Sequence, residues 1–198
     1  DEQIGAAYAR QLPNAECSFV ERYTRSFNYP EISCVKTKAD LPRYGIKTYF
    51  CSNVCAAYKK DIFEKLGGFV ERTIFNEDMI YAGRLIQEGY AVAYAADAKV
   101  IHSHNYSCMQ QFHRNFDLGV SQAEHPEIFE SVKSEGEGIR LVKQTFSYLI
   151  AKKKIWLIPG FIMQSGFKYA GYLAGKKYRK LPSGVIMWCT MNPSYWNV

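Results

Sequence analysis

Two adjacent carboxylates, Glu77 and Asp78, are the residues of this sequence best suited to acid–base chemistry. They follow a Gly67-Gly68-Phe69 turn and stand where an amphipathic helix is predicted to begin. The free N–H groups and the dipole of a helix N-terminus stabilise negative charge, so an ionised carboxylate there could act as a general base toward a hydroxyl group. Acidic residues at a helix start are also ordinary capping residues, and both interpretations stay open on these residues alone.

Two histidines form a second candidate group. His102 stands at the end of a predicted strand, and His104 follows two positions later. In an extended segment, side chains at alternate positions face the same side. Imidazole binds divalent metal ions, but a histidine at a strand end is as often an ordinary hydrogen-bonding residue, so both roles stay open.

The spacing of apolar residues predicts an α/β fold that could position these groups. Strands are predicted at 4–11 and 47–58, with two short strands around Asp97 within 91–101. Helices are predicted at 16–27, 61–66, 77–89, 107–119, 139–151 and 155–175, with a long loop at 28–45. Ser52 and Asn53 interrupt the strand-like run 47–58. Glycines at 67 and 68 allow a sharp turn, which we expect Phe69 to anchor.

Charge is unevenly distributed along the chain. The net charge is +6, yet no aspartate or glutamate follows Glu137. The basic residues after that point are Arg140, Lys143, Lys152, Lys153, Lys154, Lys168, Lys176, Lys177, Arg179 and Lys180. Such a block requires an anionic partner or a solvated surface. The apolar fraction of 47% excludes a disordered chain, and six cysteines without a Cys-x-x-Cys pair are typical of reduced thiols in a cytosolic protein.

The uncharged run Ile155–Phe167 has 13 residues, whereas a membrane-spanning helix needs about 20. Aromatic residues and lysines flank this run, which favours a helix lying in a membrane interface. A pair of basic helices packed on the sheet is the alternative interpretation.

The run from Phe50 to His104 resembles the second half of a family 2 glycosyltransferase of the GT-A fold. The shared elements are, in order, the strand Phe50–Tyr58, the helix Asp61–Leu66, the turn Gly67-Gly68-Phe69, the pair Glu77-Asp78, the helix Met79–Gly89, the strand Ala98–Ile101 and His102. The fold implied is α/β: the C-terminal half of a GT-A-like, nucleotide-diphospho-sugar transferase fold, with a helical C-terminal extension.

The resemblance also implies residue roles. Asp78 would deprotonate the acceptor hydroxyl in an inverting sugar transfer, and Glu77 would position the base or the acceptor. His102 would complete the site of a divalent ion, Mn²⁺ or Mg²⁺, that holds the nucleotide diphosphate. The candidate substrate-binding residues are Ser52, Asn53, His104, Gln111 and Arg114.

The helix after His104 carries one further family element. Gln111-x-x-Arg114 is similar to the Gln-x-x-Arg-Trp element of polymerising family members. Asn115 stands in place of the tryptophan, which argues against a processive role. Arg114 could bind phosphate through two hydrogen bonds, although an ordinary surface arginine explains it equally well.

The whole chain, more loosely, resembles bacterial rhamnosyltransferases of this family, at Tyr8–Pro13, Phe27–Pro30, Arg114–Gly119, Gly175–Pro182 and Asn192–Trp196. This resemblance implies a dTDP-rhamnose donor and a saccharide acceptor linked to polyprenyl diphosphate, in surface-polysaccharide biosynthesis. The implied location is the cytoplasm, at the inner face of a bacterial membrane. A homo-oligomer is compatible with the sequence, and no nucleic-acid-binding motif is present.

One departure from the family changes the expectation. The Asp-x-Asp motif that carries the metal in the family's N-terminal half is missing from this sequence. We therefore expect a fragment that lacks the nucleotide-binding half and is inactive alone, with the metal bound only when that half is present. The expected domains are an acceptor-side half, 1–138, and a basic, aromatic, membrane-associating helical extension, 139–198.

Two other functions compete with the transferase. A non-catalytic membrane-binding or assembly module would depend on the basic end of the chain alone. A metal hydrolase would use His102, His104 and Asp78, but the sequence has no His-Glu-x-x-His motif or comparable ligand cluster.

Overall fold

The computed structural model describes residues 2–132 and 135–197, and these form a mixed α/β structure. Asp1, residues 133 and 134 and Val198 fall within the predicted domains but lie outside the described residues. The strands are β1 (Ile4–Leu12), β2 (Cys34–Lys36), β3 (Ala56–Tyr58) and β4 (Ala91–Ile101). The helices are α1 (Phe19–Asn28), α2 (Leu41–Tyr44), α3 (Lys60–Lys65), α4 (Glu77–Gln87), α5 (Cys108–Glu124), α6 (Pro126–Phe129), α7 (Glu135–Ala151), α8 (Ile158–Lys176) and α9 (Ser183–Cys189).

The four strands form one sheet in the order β2-β4-β1-β3. The two central strands are parallel, and Leu12 at the end of β1 pairs with Ile101 at the end of β4. The edge strands β2 and β3 are antiparallel to their neighbours. The carboxyl ends of both central strands and the start of β3 therefore lie along one edge of the sheet.

The segment 91–101 is one strand rather than the two short strands predicted. Its pairing with β1 shifts register, because Ala9 pairs with Ala95 and the next residue, Arg10, pairs with Lys99. The pairing with β1 skips the three residues between Ala95 and Lys99, which include Asp97. The predicted interruption is thus a local irregularity inside a continuous strand.

The strand predicted at 47–58 is wrong over most of its length. Gly45–Tyr49 forms a 3₁₀ helix, and only Ala56–Tyr58 pairs with β1. The buried ammonium group of Lys36 donates hydrogen bonds to the carbonyl oxygens of Lys47 (3.1 Å) and Phe50. The Lys36 side chain thus satisfies backbone carbonyl groups that, in a strand, would bond to a neighbouring strand. The apolar run can therefore be buried without forming a strand. The loop predicted at 28–45 contains β2 and α2.

The chain divides into two compact units. The first holds the sheet and comprises the described residues of Asp1–Glu71, Glu77–Asn105 and Glu130–Leu141. The second is mostly helical and comprises the described residues of Arg72–Asn76, Tyr106–Phe129 and Val142–Val198. The functional division expected at residue 138 falls inside α7 and stays a prediction.

Two helices of the second unit pack closely along glycines. Gly171 and Gly175 on α8 are spaced as G-x-x-x-G, and a Cβ atom on either would overlap a carbonyl oxygen of α5, that of Phe112 or Phe116 respectively. The pair is parallel in direction, because later residues of α8 meet later residues of α5. Phe116 is fully buried in this unit's core.

Hydrogen bonds attach the end of the chain to α5. Asp117, which is 1% exposed, accepts hydrogen bonds from Thr190 Oγ1 (2.7 Å), the Met191 N–H (3.0 Å) and Asn192 Nδ2 (3.1 Å). Within residues 2–132 and 135–197, the helices are too short or too polar to cross a bilayer.

Candidate functional site

The two carboxylates meet the Ser52-Asn53 segment in the first unit. Asp78 Oδ2 accepts a hydrogen bond from the backbone N–H of Asn53 (3.1 Å). Glu77 Oε1 accepts one from the side-chain Nδ2 of the same Asn53 (3.1 Å). One residue thus contacts both acidic groups, and three of the predicted site residues come together in a single cluster.

The start of α4 is set by the residue before it. Asn76 has a φ of 64°, a left-handed backbone conformation that asparagine tolerates better than most residues. It is buried, and its Nδ2 donates to Ser121 Oγ (3.3 Å) within the second unit. Asp78 Oδ1 also accepts the Met79 N–H (2.7 Å), so the capping interpretation and the base interpretation apply to the same carboxylate.

An aromatic cluster contains Tyr58, the residue that holds the side chain of Asn53. Tyr58 Oη donates to Asn53 Oδ1 (2.5 Å), and the Tyr58 ring packs edge-on against Phe69 at 5.3 Å between centroids. The other rings of this cluster are Phe63 and Tyr81. Tyr58 is a positioning residue that the sequence patterns missed, because its partner is set by the folded chain and not by spacing.

The two glycines act as predicted. Gly67 and Gly68 have φ values of 77° and 65°, in the left-handed region, and they reverse the chain after α3. This turn brings Phe69 onto Phe63, at 5.0 Å between centroids. The expectation that Phe69 anchors the turn is confirmed.

A second set of polar groups supports Ser52. Gln11, near the end of β1, is 3% exposed and donates through Nε2 to Ser52 Oγ (2.7 Å). Its Oε1 accepts a hydrogen bond from Arg25 Nη1. Ser52 is thus held by the end of a central strand, and neither Gln11 nor Arg25 was a sequence candidate.

Burial dominates the electrostatics of Asp78. Desolvation raises the pKa of its carboxyl group above the ordinary aspartate value, the Asn53 N–H opposes this, and the nearby charge of Glu77 raises the pKa further. A carboxylate with a raised pKa is a stronger base, and a general base works best when its pKa approaches the working pH. The cluster can therefore accept a proton and orient a hydroxyl group.

His102 and His104 lie together, as the alternation predicted. Their rings are 4.5 Å apart between centroids and perpendicular. The His102 N–H donates to the Leu12 carbonyl oxygen (2.8 Å), which places His102 at the sheet edge where β1 and β4 end.

The described residues do not form a complete metal site. Within them, no group of three or more histidine, cysteine, aspartate or glutamate side chains is arranged to hold an ion. His102 could supply one ligand, but the residues present do not by themselves fit a divalent cation. The metal role of His102 stays a prediction.

Gln111 and Arg114 lie on α5, in the second unit. Gln111 is largely buried, and its backbone carbonyl oxygen accepts a hydrogen bond from Asn115 Nδ2 (2.7 Å). The Arg114 guanidinium lies over the ring of Phe75 (4.4 Å) and near that of Tyr106 (5.8 Å). A guanidinium group stacks readily on aromatic faces, and the substrate-binding role of Arg114 stays a prediction.

Comparison with known proteins identifies two similar proteins, both from Salmonella. The chain is 42% identical over all 198 residues to the O-antigen chain rhamnosyltransferase WbaN of Salmonella anatum. It is 43% identical over 198 residues to the O-antigen chain rhamnosyltransferase RfbN of Salmonella typhimurium strain LT2. The chain spans 62% and 63% of the lengths of these relatives.

No protein-family model matches the chain, and no solved structure is significantly similar to it. The similarity to the two Salmonella proteins extends over the whole of this chain. The relationship to rhamnosyltransferases that the sequence predicted is therefore confirmed.

Proposed function

We propose that this chain is the acceptor-side, base-carrying part of an inverting rhamnosyltransferase of glycosyltransferase family 2, with a partial GT-A-like fold. The similarity to two rhamnosyltransferases supports the reaction class. The observation that carries the mechanism is the Glu77-Asp78 pair, held by a single residue, Asn53.

In the proposed reaction, Asp78 takes the proton of an acceptor hydroxyl group. The oxygen attacks the anomeric carbon of the donor sugar from the side opposite the nucleotide diphosphate, so a new glycosidic bond forms as the bond to the diphosphate breaks. The departing diphosphate takes the bonding electrons, and the anomeric configuration inverts. Glu77 accepts a hydrogen bond from the acceptor and orients it.

The proposed substrates are dTDP-rhamnose and a saccharide acceptor, linked to polyprenyl diphosphate, of a bacterial surface polysaccharide. Ser52, Asn53 and His104 would contact sugar hydroxyl groups, while Gln111 and Arg114 would contact the acceptor or a phosphate. The enzyme would act in the cytoplasm at the inner face of the membrane, where such an acceptor lies. It could also form a homo-oligomer.

A divalent cation, Mn²⁺ or Mg²⁺, would supply charge neutralisation of the nucleotide diphosphate when bound. His102 is the proposed ligand from this chain, and further ligands would have to come from outside the described residues. The proton transfer to Asp78 does not depend on it.

A second candidate function is a non-catalytic module for membrane binding or assembly. It is favoured by large apolar side chains that stand exposed on the helices after residue 141, among them Trp156 (65% exposed). In this case the base cluster around Asp78 would be a capping structure only.

The test is a transfer assay with the intact enzyme, dTDP-rhamnose and a lipid-linked saccharide. We expect a rhamnosylated product whose anomeric configuration, measured by NMR, is inverted relative to the donor. Retention of configuration would overturn the mechanism. Absence of transfer from every nucleotide-sugar tried, by an enzyme that binds vesicles, would favour the second candidate.

A further inference from the structure

Helix α8 has two apolar faces, and only one of them is buried. Phe161, Gly171, Tyr172 and Gly175 form the buried face, which includes the glycine contact with α5. The opposite face is exposed and carries Ile162 (57%), Met163 (56%) and Tyr169 (58%). Pro159, Gly166 and Ala170, also exposed, complete a stripe at helical spacing without a charged side chain.

The apolar stripe extends beyond the helix at its N-terminal end. Ile155 and Trp156, in the preceding 3₁₀ turn, are 60% and 65% exposed. Within α8, from Pro159 to Ala170, the stripe is about 17 Å long at 1.5 Å per residue. An apolar stripe of this length on a helix surface is a feature of interaction sites rather than of ordinary solvated helices.

Cationic residues lie at both ends of this stripe. Lys152, Lys153 and Lys154 precede it, and Lys176 and Lys177 follow it. The Lys154 ammonium lies 4.9 Å from the centre of the Trp156 ring, so the aromatic and cationic groups are adjacent. No acidic residue follows Glu137 in the sequence, so this part of the chain has a large excess of positive charge.

Helix α7 carries a second exposed apolar stripe in the same unit. Val142, Phe146 and Ile150 are 38%, 40% and 49% exposed, and their spacing puts them on one side of the helix. The stripe ends next to Lys152–Lys154, which also precede α8. Both helices that flank the three lysines thus expose apolar faces.

We propose that α8 docks on the surface of a bilayer that contains anionic phospholipids, lying in the membrane plane with its exposed stripe inserted between headgroups. Trp156 and Tyr169 would lie at headgroup depth, and the lysines at both ends would contact lipid phosphates. A second copy of this chain fits less well, because a symmetric contact would bring like charges together. This inference deepens the proposed location by naming the surface, and it does not depend on the reaction.

The first experiment is flotation of the 198-residue chain with vesicles of zwitterionic lipid alone, or with about a third of an anionic phospholipid. We expect binding to the anionic vesicles, weakened by salt. Ile162→Asp should reduce this binding about tenfold or more, because it puts a charge into the inserted face. Ile32→Asp is the matched control, since Ile32 is 80% exposed in the first unit.

Two further variants separate the apolar contribution from the charge contribution. Lys152→Gln with Lys153→Gln should weaken binding to anionic vesicles by roughly fivefold for each lysine. Trp156→Phe should remove most of the blue shift in tryptophan emission that anionic vesicles produce. Circular dichroism and light scattering of each variant verify that folding and oligomeric state are unchanged.

Three outcomes would overturn the proposal. They are no binding to anionic vesicles, equal binding by Ile162→Asp and Ile32→Asp, and a change from dimer to monomer in Ile162→Asp without any effect on lipid. The last would assign the stripe to a second copy. Transfer to a soluble acceptor that persists when vesicle binding fails would separate this proposal from the proposed reaction.

Discussion

At the scale of residues, Asn53 is the centre of the candidate site. Its backbone N–H donates a hydrogen bond to Asp78, and its side-chain Nδ2 donates one to Glu77. Its Oδ1 accepts a hydrogen bond from the Tyr58 hydroxyl. Tyr58 is packed into an aromatic cluster, which restricts its motion. Its hydrogen bond restricts Asn53 in turn, and Asn53 holds both carboxylates in place. Such support is what a general base needs to keep a productive geometry.

Tyr58→Phe tests this support directly. The substitution removes the hydrogen bond to Asn53 and keeps the ring, so we expect kcat of the intact enzyme to fall about fivefold, the equivalent of one ordinary hydrogen bond. KM for the donor should be nearly unchanged. Tyr90→Phe is the control, because it removes only the hydrogen bond from Lys65 to Tyr90. Equal kcat in both variants would contradict the positioning role.

Lys36 gives a prediction about pH. Burial lowers the pKa of this lysine to about 8 in the folded chain, while the unfolded chain keeps an ordinary lysine pKa. Between these two values the unfolded state binds more protons, so the lysine's contribution to the free energy of unfolding rises as the pH rises from about 8 to about 10.

Urea denaturation at pH 8 and pH 10 measures this contribution. Lys36→Met should remove this contribution. Between pH 8 and pH 10, the change in the free energy of unfolding should then differ by roughly 2–3 kcal/mol between Lys36→Met and the original chain. Lys38→Met is the control, because Lys38 is exposed. The same pH dependence in Lys36→Met and in the original chain would contradict the assignment.

At the scale of elements, the close contact of α8 with α5 depends on having no side chain at Gly171 and Gly175. Gly175→Ala should destabilise the fold by about 1–3 kcal/mol by overpacking, although alanine favours a helix. Gly166→Ala is the matched control: nothing lies within 4 Å of its added Cβ, so it should stabilise by about 0.5–1 kcal/mol. Thermal unfolding of both variants measures the difference, and equal effects would contradict the packing account.

Some elements were predictable from local sequence and some were not. β1, α4 and the turn at Gly67 and Gly68 follow from local chemistry: apolar spacing, acidic residues at a helix start and glycines that tolerate positive φ. The pattern predicts a strand from residue 47, where the structure has the last turn of the 3₁₀ helix Gly45–Tyr49. An apolar run that is buried has the same sequence pattern whether a neighbouring strand or the Lys36 side chain satisfies its backbone groups.

Some residues of the candidate site were likewise predictable from the sequence, and others were not. The Glu77-Asp78 pair could be found because its residue types and position carry chemistry. Tyr58, Gln11 and Arg25 could not, because each acts through a partner far away in the sequence, and no periodicity encodes such contacts. An asparagine just before a helix, Asn76, was a usable signal for the turn that precedes the site.

At the scale of the whole molecule, this chain spans 62% and 63% of two longer relatives. Within its described residues there is no metal-binding cluster. We predict that the chain alone binds dTDP- and UDP-sugars weakly, with Kd well above the micromolar range. Calorimetry checks this, and micromolar affinity would show that this chain contains a donor site of its own.

Asp78→Asn in the intact enzyme tests whether Asp78 is the general base of the proposed sugar transfer. Because burial raises the pKa of Asp78, the charged form is disfavoured in the folded protein, so removal of the charge should leave the melting temperature unchanged or higher. Glu77→Gln is the control at the neighbouring position. The measurement is single-turnover transfer from donor to acceptor, with donor affinity determined in parallel.

We expect Asp78→Asn to lower the transfer rate by about 10²–10⁴-fold, with donor affinity nearly unchanged. The loss in Glu77→Gln should be smaller. Transfer by Asp78→Asn at a rate within a few-fold of the original enzyme would show that Asp78 is not the general base.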